Sequence, residues 1–114
     1  MIDVEFIKSK MIKILCVDDD ELMMVLYQAC LSSIGEIDTA ANGQEGLELF
    51  LRSPESYGLI CTDNNMSKMS GLRFLENIRA YALPPRLLFS STTNPIELHQ
   101  QAQAVGALGL IEKP

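Results

Sequence analysis

Gly58-Leu59-Ile60-Cys61-Thr62-Asp63-Asn64-Asn65-Met66-Ser67-Lys68-Met69-Ser70-Gly71 passes from a short apolar run straight into a carboxylate and then a polar loop. A carboxylate at the mouth of a buried strand is costly unless a cation or hydrogen bonds meet it there. The same junction occurs at Ile14-Leu15-Cys16-Val17, which leads into Asp18-Asp19-Asp20. Leu87-Leu88-Phe89 ends in Ser90-Ser91, and a further apolar run, Leu108 to Ile111, leads to Lys113. Acid cluster, lone acid, hydroxyl and lysine each follow a strand-like run, as expected of one site built from four loops.

Between these runs apolar residues recur at helical spacing. The pattern predicts a strand over 11–17, then a helix capped by Asp20, turned inward through Leu22, Val25, Leu26, Ala29 and Cys30, and stopped by Gly35. A short strand over 36–40, a turn at Asn42-Gly43 and a helix over 44–51 with Leu47, Phe50 and Leu51 inward follow. After the strand ending at Thr62 and the Asp63 loop, Leu72, Leu75 and Ile78 mark a third helix, which Pro84-Pro85 breaks. A strand over 86–89, a Gln-rich helix over 95–105, a turn at Gly106-Ala107 and a strand over 108–111 complete the chain. Continuous apolar strands alternating with helices imply an α/β fold, a doubly wound five-stranded parallel sheet covered on both faces. Ligands of such sheets bind beyond the carboxyl ends of the strands, where Asp18, Asp19, Asp63, Ser90 and Lys113 are expected to meet.

A chain of 114 residues holds one domain with a single core. Its net charge of −6 and the lack of a Lys/Arg run argue against direct nucleic-acid binding. Cys16, Cys30 and Cys61 are odd in number and without metal-like spacing. Two of them sit in apolar runs and read as core thiols, which points to a reducing, cytoplasmic compartment. No stretch has the length of a membrane span, and the N-terminus does not read as a signal peptide. Residues 1–10 read as an N-terminal arm: Ile2, Val4 and Phe6 alternate with Asp3 and Glu5, a pattern suited to a strand with one buried face. Residues 11–114 form the domain proper.

Three carboxylates gathered at one place repel, and one would keep its proton without compensation. A hard cation such as Mg²⁺ removes the conflict and leaves coordination open for phosphate oxygens. Asp63 can then act as a nucleophile toward a phosphoryl group, with Ser90 and Lys113 suited to its equatorial oxygens. Taken singly, each motif has a plainer reading. Asp18-Asp19-Asp20 is a loop with an N-cap, Asp63 a turn residue, His99 a solvated side chain, and Met23, Met24, Met66 and Met69 packing.

From Met11 onward the chain resembles the receiver domain of two-component response regulators. The resemblance rests on the acidic pair after β-like 14–17, on Asn42-Gly43, on Asp63-x-x-Met66-x-x-Met69-x-Gly71, on Ser90, on Gly106-Ala107 and on Lys113-Pro114. It implies a flavodoxin-like sheet in order 2-1-3-4-5, with Mg²⁺ held by Asp18, Asp19, Asp63 and the backbone carbonyl of Asn65. It implies phosphorylation of Asp63 by a histidine kinase or His-containing phosphotransfer protein, and a protein–protein contact switched by that event, with no enzymatic turnover beyond the domain's own phosphoryl transfer and loss. Ser67 and Ser70 depart from the family's loop pattern, Ser90 replaces the commoner Thr, and Leu110 stands where the family usually carries Tyr or Phe. The family continues past Lys-Pro into a further helix and this sequence stops at Pro114; either the domain is C-terminally truncated here, or the arm or a second copy in a homodimer is expected to cover the apolar sheet face. Two rival readings are a phosphorylation-independent module on the same fold and an Asp-nucleophile phosphatase of the haloacid dehalogenase type. The second lacks the acidic motif that should follow the lysine.

Overall fold

The computed structural model describes residues 3, 12–91 and 94–114. The expected arm, apart from Asp3, and the expected strand start at Met11 lie outside the described residues. Five strands, β1 (Ile12–Val17), β2 (Gly35–Ala40), β3 (Tyr57–Asp63), β4 (Arg86–Ser90) and β5 (Gly109–Glu112), alternate with four α-helices. These are α1 (Glu21–Leu31), α2 (Gly43–Arg52), α3 (Gly71–Asn77) and α4 (Pro95–Ala104), with a 3₁₀ turn over Pro54–Ser56 before β3. All strand pairs are parallel and the order is β2-β1-β3-β4-β5, as the resemblance implies.

Successive residues of β1 serve opposite faces of the sheet. Leu15 and Val17 join Ile60, Leu88, Phe50, Phe74, Leu75, Ile78 and Leu98 in a core shared with α2, α3 and α4. Ile14 and Cys16 join Cys61, Met23 and Tyr27 in a smaller core beneath α1. The helices start as their sequences direct. Asp20 accepts from the Leu22 N–H at 2.9 Å. Asn42 accepts from the Glu45 N–H at 3.0 Å while Glu45 reaches back to the Ala41 N–H at 2.8 Å, a reciprocal capping box. Ser70 caps α3 by accepting from the Arg73 N–H. No helix among the described residues is long and apolar enough to cross a membrane.

Three sequence expectations need correction. In α1 the inward pair is Met23 and Tyr27, whereas Leu22 and Val25 are 65% and 62% exposed, and Ala29 and Cys30 are exposed too. Both stripes are apolar, and only the sheet decides which one it covers. Leu51 of α2 is also exposed, because Phe50 takes the core position. Gly35 opens β2 rather than ending α1, which closes at Ser32. A side chain there would press on the Ile12 carbonyl oxygen at 2.6 Å.

Gly46 sits where α2 crosses β1, and an added Cβ would lie 2.8 Å from the Val17 side chain. Gly46→Ala gains helix propensity but forces a stiff, fully buried valine aside. We expect a net loss of about 1–3 kcal/mol in a denaturant melt, against the gain of about 1 kcal/mol that an open helical position would show.

Candidate functional site

The strand register gathers the site. Asp63 ends β3 opposite Phe89, so Ser90 is the next residue out on β4. Ser90 pairs in turn with Glu112, and the Lys113 N–H donates to the Ser90 carbonyl at 2.9 Å. On the other side the Asp18 N–H donates to the Ala40 carbonyl at 2.9 Å, which carries the acidic loop over the same edge. Asp18, Asp63 and Ser90 are all buried, while Asp19 and Asn65 are exposed.

Lys113 ties the carboxylates together. Its Nζ lies 3.4 Å from Asp18 Oδ2, 3.4 Å from Asp63 Oδ1 and 3.9 Å from Asp20 Oδ2. Asp18 is held further by the Tyr27 hydroxyl, which donates to Oδ2 at 3.2 Å, and by the Asp20 N–H, which donates to Oδ1 at 2.9 Å. Burial and the neighbouring Asp18 charge push the Asp63 carboxyl above its usual range, although Lys113 and the Asn64 N–H pull the other way. For Lys113, burial pulls the ammonium down, but Asp18 and Asp63 outweigh it and hold it above its ordinary value.

Carboxylate oxygens of Asp18, Asp19 and Asp63 lie within 4.8 Å of one another. Two of these three, Asp18 and Asp63, also face the Lys113 ammonium, and the donors are hard oxygens. That set fits a small divalent cation such as Mg²⁺ and suits a soft metal poorly. Asn65, expected to add its carbonyl, lies two residues beyond Asp63 in the exposed loop.

The loop after Asp63 is built around Asn64 and Lys68, which sequence reasoning passed over, and around Gly71, which the receiver motif includes. The Asn64 N–H donates to the Phe89 carbonyl, its own carbonyl accepts from the Gly71 N–H, and its Oδ1 accepts from the Leu72 N–H at 3.2 Å. Gly71 is required because a side chain there would overlap the Asp63 carbonyl. Lys68 takes a left-handed φ of 64° that reverses the loop. Tyr27 was also missed as a site residue; its only sequence signal is a polar tip on an apolar helix face. Leu110 and Ser90 line one groove of about 660 Å³ with Ile96, His99, Gln103 and Glu112.

A family model, the response regulator receiver domain, matches residues 14–114. The chain belongs to the receiver domain family. This receiver is 30% identical over 110 residues to the probable chemotaxis protein CheY of Rhizobium etli, covering 93% of the chain and 84% of the relative. It superposes on Vibrio cholerae CheY4 with a TM-score of 0.81 at 33% identity, covering 92% and 88% of the two chains. Borrelia burgdorferi CheY, solved as a CheX–CheY–BeF3–Mg complex, gives a TM-score of 0.81 at 26% identity over 90% of this chain and 78% of that one. Receiver domains are generally signalling domains, and some relatives, such as the protein-glutamate methylesterase of Chromohalobacter salexigens, match over only 30% of their own length.

The raised Asp63 carboxyl makes a prediction for the metal-free receiver. An acid that binds its proton more tightly when folded costs stability as pH rises from its unfolded value through its folded one. Without metal the parent should lose stability as pH rises above the ordinary carboxylate value of about 4. Asp63→Asn lacks this charge and should melt a few degrees higher at neutral pH in chelator, with the difference shrinking in acid. Thermal melts across that range check it, and a variant melting below the parent at neutral pH contradicts it.

Proposed function

We propose that this receiver accepts a phosphoryl group on Asp63 from a phosphohistidine of a histidine kinase or phosphotransfer protein, and that the acyl phosphate switches a protein–protein contact. The observation that carries the reading is the Lys113 ammonium placed 3.4 Å from both Asp18 and Asp63 at the strand edge. It forms a preset cation beside a buried nucleophile and an acidic metal-type donor set. An Asp63 oxygen attacks phosphorus in line, the P–N bond breaks, and its electron pair stays on the imidazole nitrogen. Mg²⁺, held by Asp18, Asp19, Asp63 and the Asn65 carbonyl, would supply positive charge to the phosphoryl oxygens. Lys113 trades its carboxylate partner for a phosphoryl oxygen, and the Ser90 hydroxyl donates to another. That a neighbour of this fold from Borrelia burgdorferi is solved in a complex with BeF3 and Mg²⁺ supports reading the acidic set as a Mg²⁺ site.

The new group adds about −1.5 to −2 of charge, by analogy with other phosphorylated side chains. It shifts the population between two arrangements of the loops after β4 and β5. Leu110 has no polar tip or ring, so movement of Ser90 is read in their shared groove by apolar repacking. Intact mass after incubation with Mg²⁺ and a small acyl phosphate tests the reading. One phosphoryl adduct is expected on the parent, and none on Asp63→Asn or in chelator. A folded parent with no adduct would instead favour the phosphorylation-independent module, to which Leu110 already leans.

A further inference from the structure

Cys16 of β1 and Cys61 of β3 are register partners on adjacent parallel strands. Both are buried in the small core with Met23 and Tyr27, on the same face of the sheet. Each stands two residues before a site carboxylate, Cys16 before Asp18 and Cys61 before Asp63. Neighbouring strands run about 4.8 Å apart, inside the Cα separation of about 4.4–6.8 Å that a disulfide spans. A bridge also needs Cβ atoms about 3.5–4.5 Å apart, so it asks for side-chain rotation together with a small approach of the two strands. Leu59, Leu87 and Phe89 on the same face are only half-buried, so the cover over Cys61 is thin.

We propose that Cys16 and Cys61 are a modification site, an oxidisable dithiol that a hydroperoxide converts to a disulfide joining β1 to β3. One thiol sulfur attacks the peroxide, whose O–O bond breaks; a sulfenic acid forms and an alcohol, or water from hydrogen peroxide, leaves. The second sulfur then attacks the first, the S–S bond forms and water departs. Two thiols and one hydroperoxide give one disulfide, one water and one alcohol, and a thiol reductant reverses the change. The bridge fixes the spacing of the two strands directly below Asp18 and Asp63. Its effect on phosphoryl transfer rests on the function proposed above; its formation does not.

The test uses the full chain carrying Cys30→Ser, since Cys30 is exposed and would form bridges between molecules. Hydrogen peroxide is added, the protein is unfolded and alkylated, and intact mass and peptide maps are read. A linked Cys16–Cys61 peptide and a mass lowered by two hydrogens, both reversed by reductant, are expected. Full alkylation of both thiols after peroxide overturns the proposal, as does oxidation to sulfinic acid without a link. Reduced and oxidised samples are then phosphorylated side by side. A reduced sample that takes the adduct establishes the Asp63 reading by itself. An oxidised one slower by about tenfold shows that the bridge reaches the site, and equal rates overturn that coupling.

Discussion

Arg86→Ala should cost the fold about 3–5 kcal/mol, lowering the melting temperature by more than about 10 °C. Arg86 opens β4 and is 3% exposed. Its Nη1 donates to the Ile78 carbonyl at 3.1 Å, and its Nη2 to the Tyr81 and Pro84 carbonyls at 2.6 and 2.9 Å. Its Nε donates to Pro84 as well. No carboxylate pairs with it among the described residues, and burial pushes the guanidinium below its ordinary value. The fold accepts that cost because the fork satisfies three carbonyls of the segment leaving α3. Alanine would strand the Tyr81 and Pro84 carbonyls, leave the Ile78 carbonyl only the Tyr81 N–H, and open a cavity where the stem lay. Lysine presents a point charge and cannot span the same three carbonyls, so Arg86→Lys should recover little. Chemical denaturation of the two variants checks this. A loss under about 1 kcal/mol for alanine would mean that water replaces the fork.

Lys113→Met should slow phosphoryl-adduct formation by about 10²–10³, the effect of removing one preset charge donor from a transition state. Methionine keeps the length and apolar stem of the side chain. Asp18 keeps the Tyr27 hydroxyl and the Asp20 N–H, so the loop has independent support. What disappears is the ammonium shared by Asp18 and Asp63. The pH dependence gives a second readout. An ammonium raised on folding contributes stability that is fully present below its ordinary value of 10.5 and lost as pH rises through the folded value. The parent should show this alkaline loss and Lys113→Met should not. Unchanged adduct kinetics with the alkaline limb gone would leave Lys113 a structural tie and no more.

Asp18, Asp63 and Ser90 were legible in the sequence because each ends or follows an apolar run that forms a buried strand, and Lys113 because it follows a short apolar run, although β5 is half-buried to exposed. A parallel sheet has one carboxyl edge, so their meeting follows from strand direction alone. The face of α1 was not legible, because Leu22 and Val25 offer the same periodicity as Met23 and Tyr27. The choice belongs to the sheet surface, which the helix sequence does not contain. Arg86 was hidden for the opposite reason. A charge at the start of a strand reads as solvated, and its partners are carbonyls, which no side-chain pattern announces. Asn64 was overlooked beside Asp63 because its three ties run to backbone groups of β4 and α3.

The contact between Lys113 and Asp18 joins positions 95 apart in the chain. Closing so long a loop costs entropy that local helices and the early β1–β2 pairing never meet, so this contact should form late in folding. A chain emerging from a ribosome would build β1, β2 and β3 with both aspartates in place and still lack their counter-charge. On the function proposed above, full competence for phosphoryl transfer arrives with the docking of β5, and a chain that has not yet docked it should take an adduct about 10²–10³ more slowly.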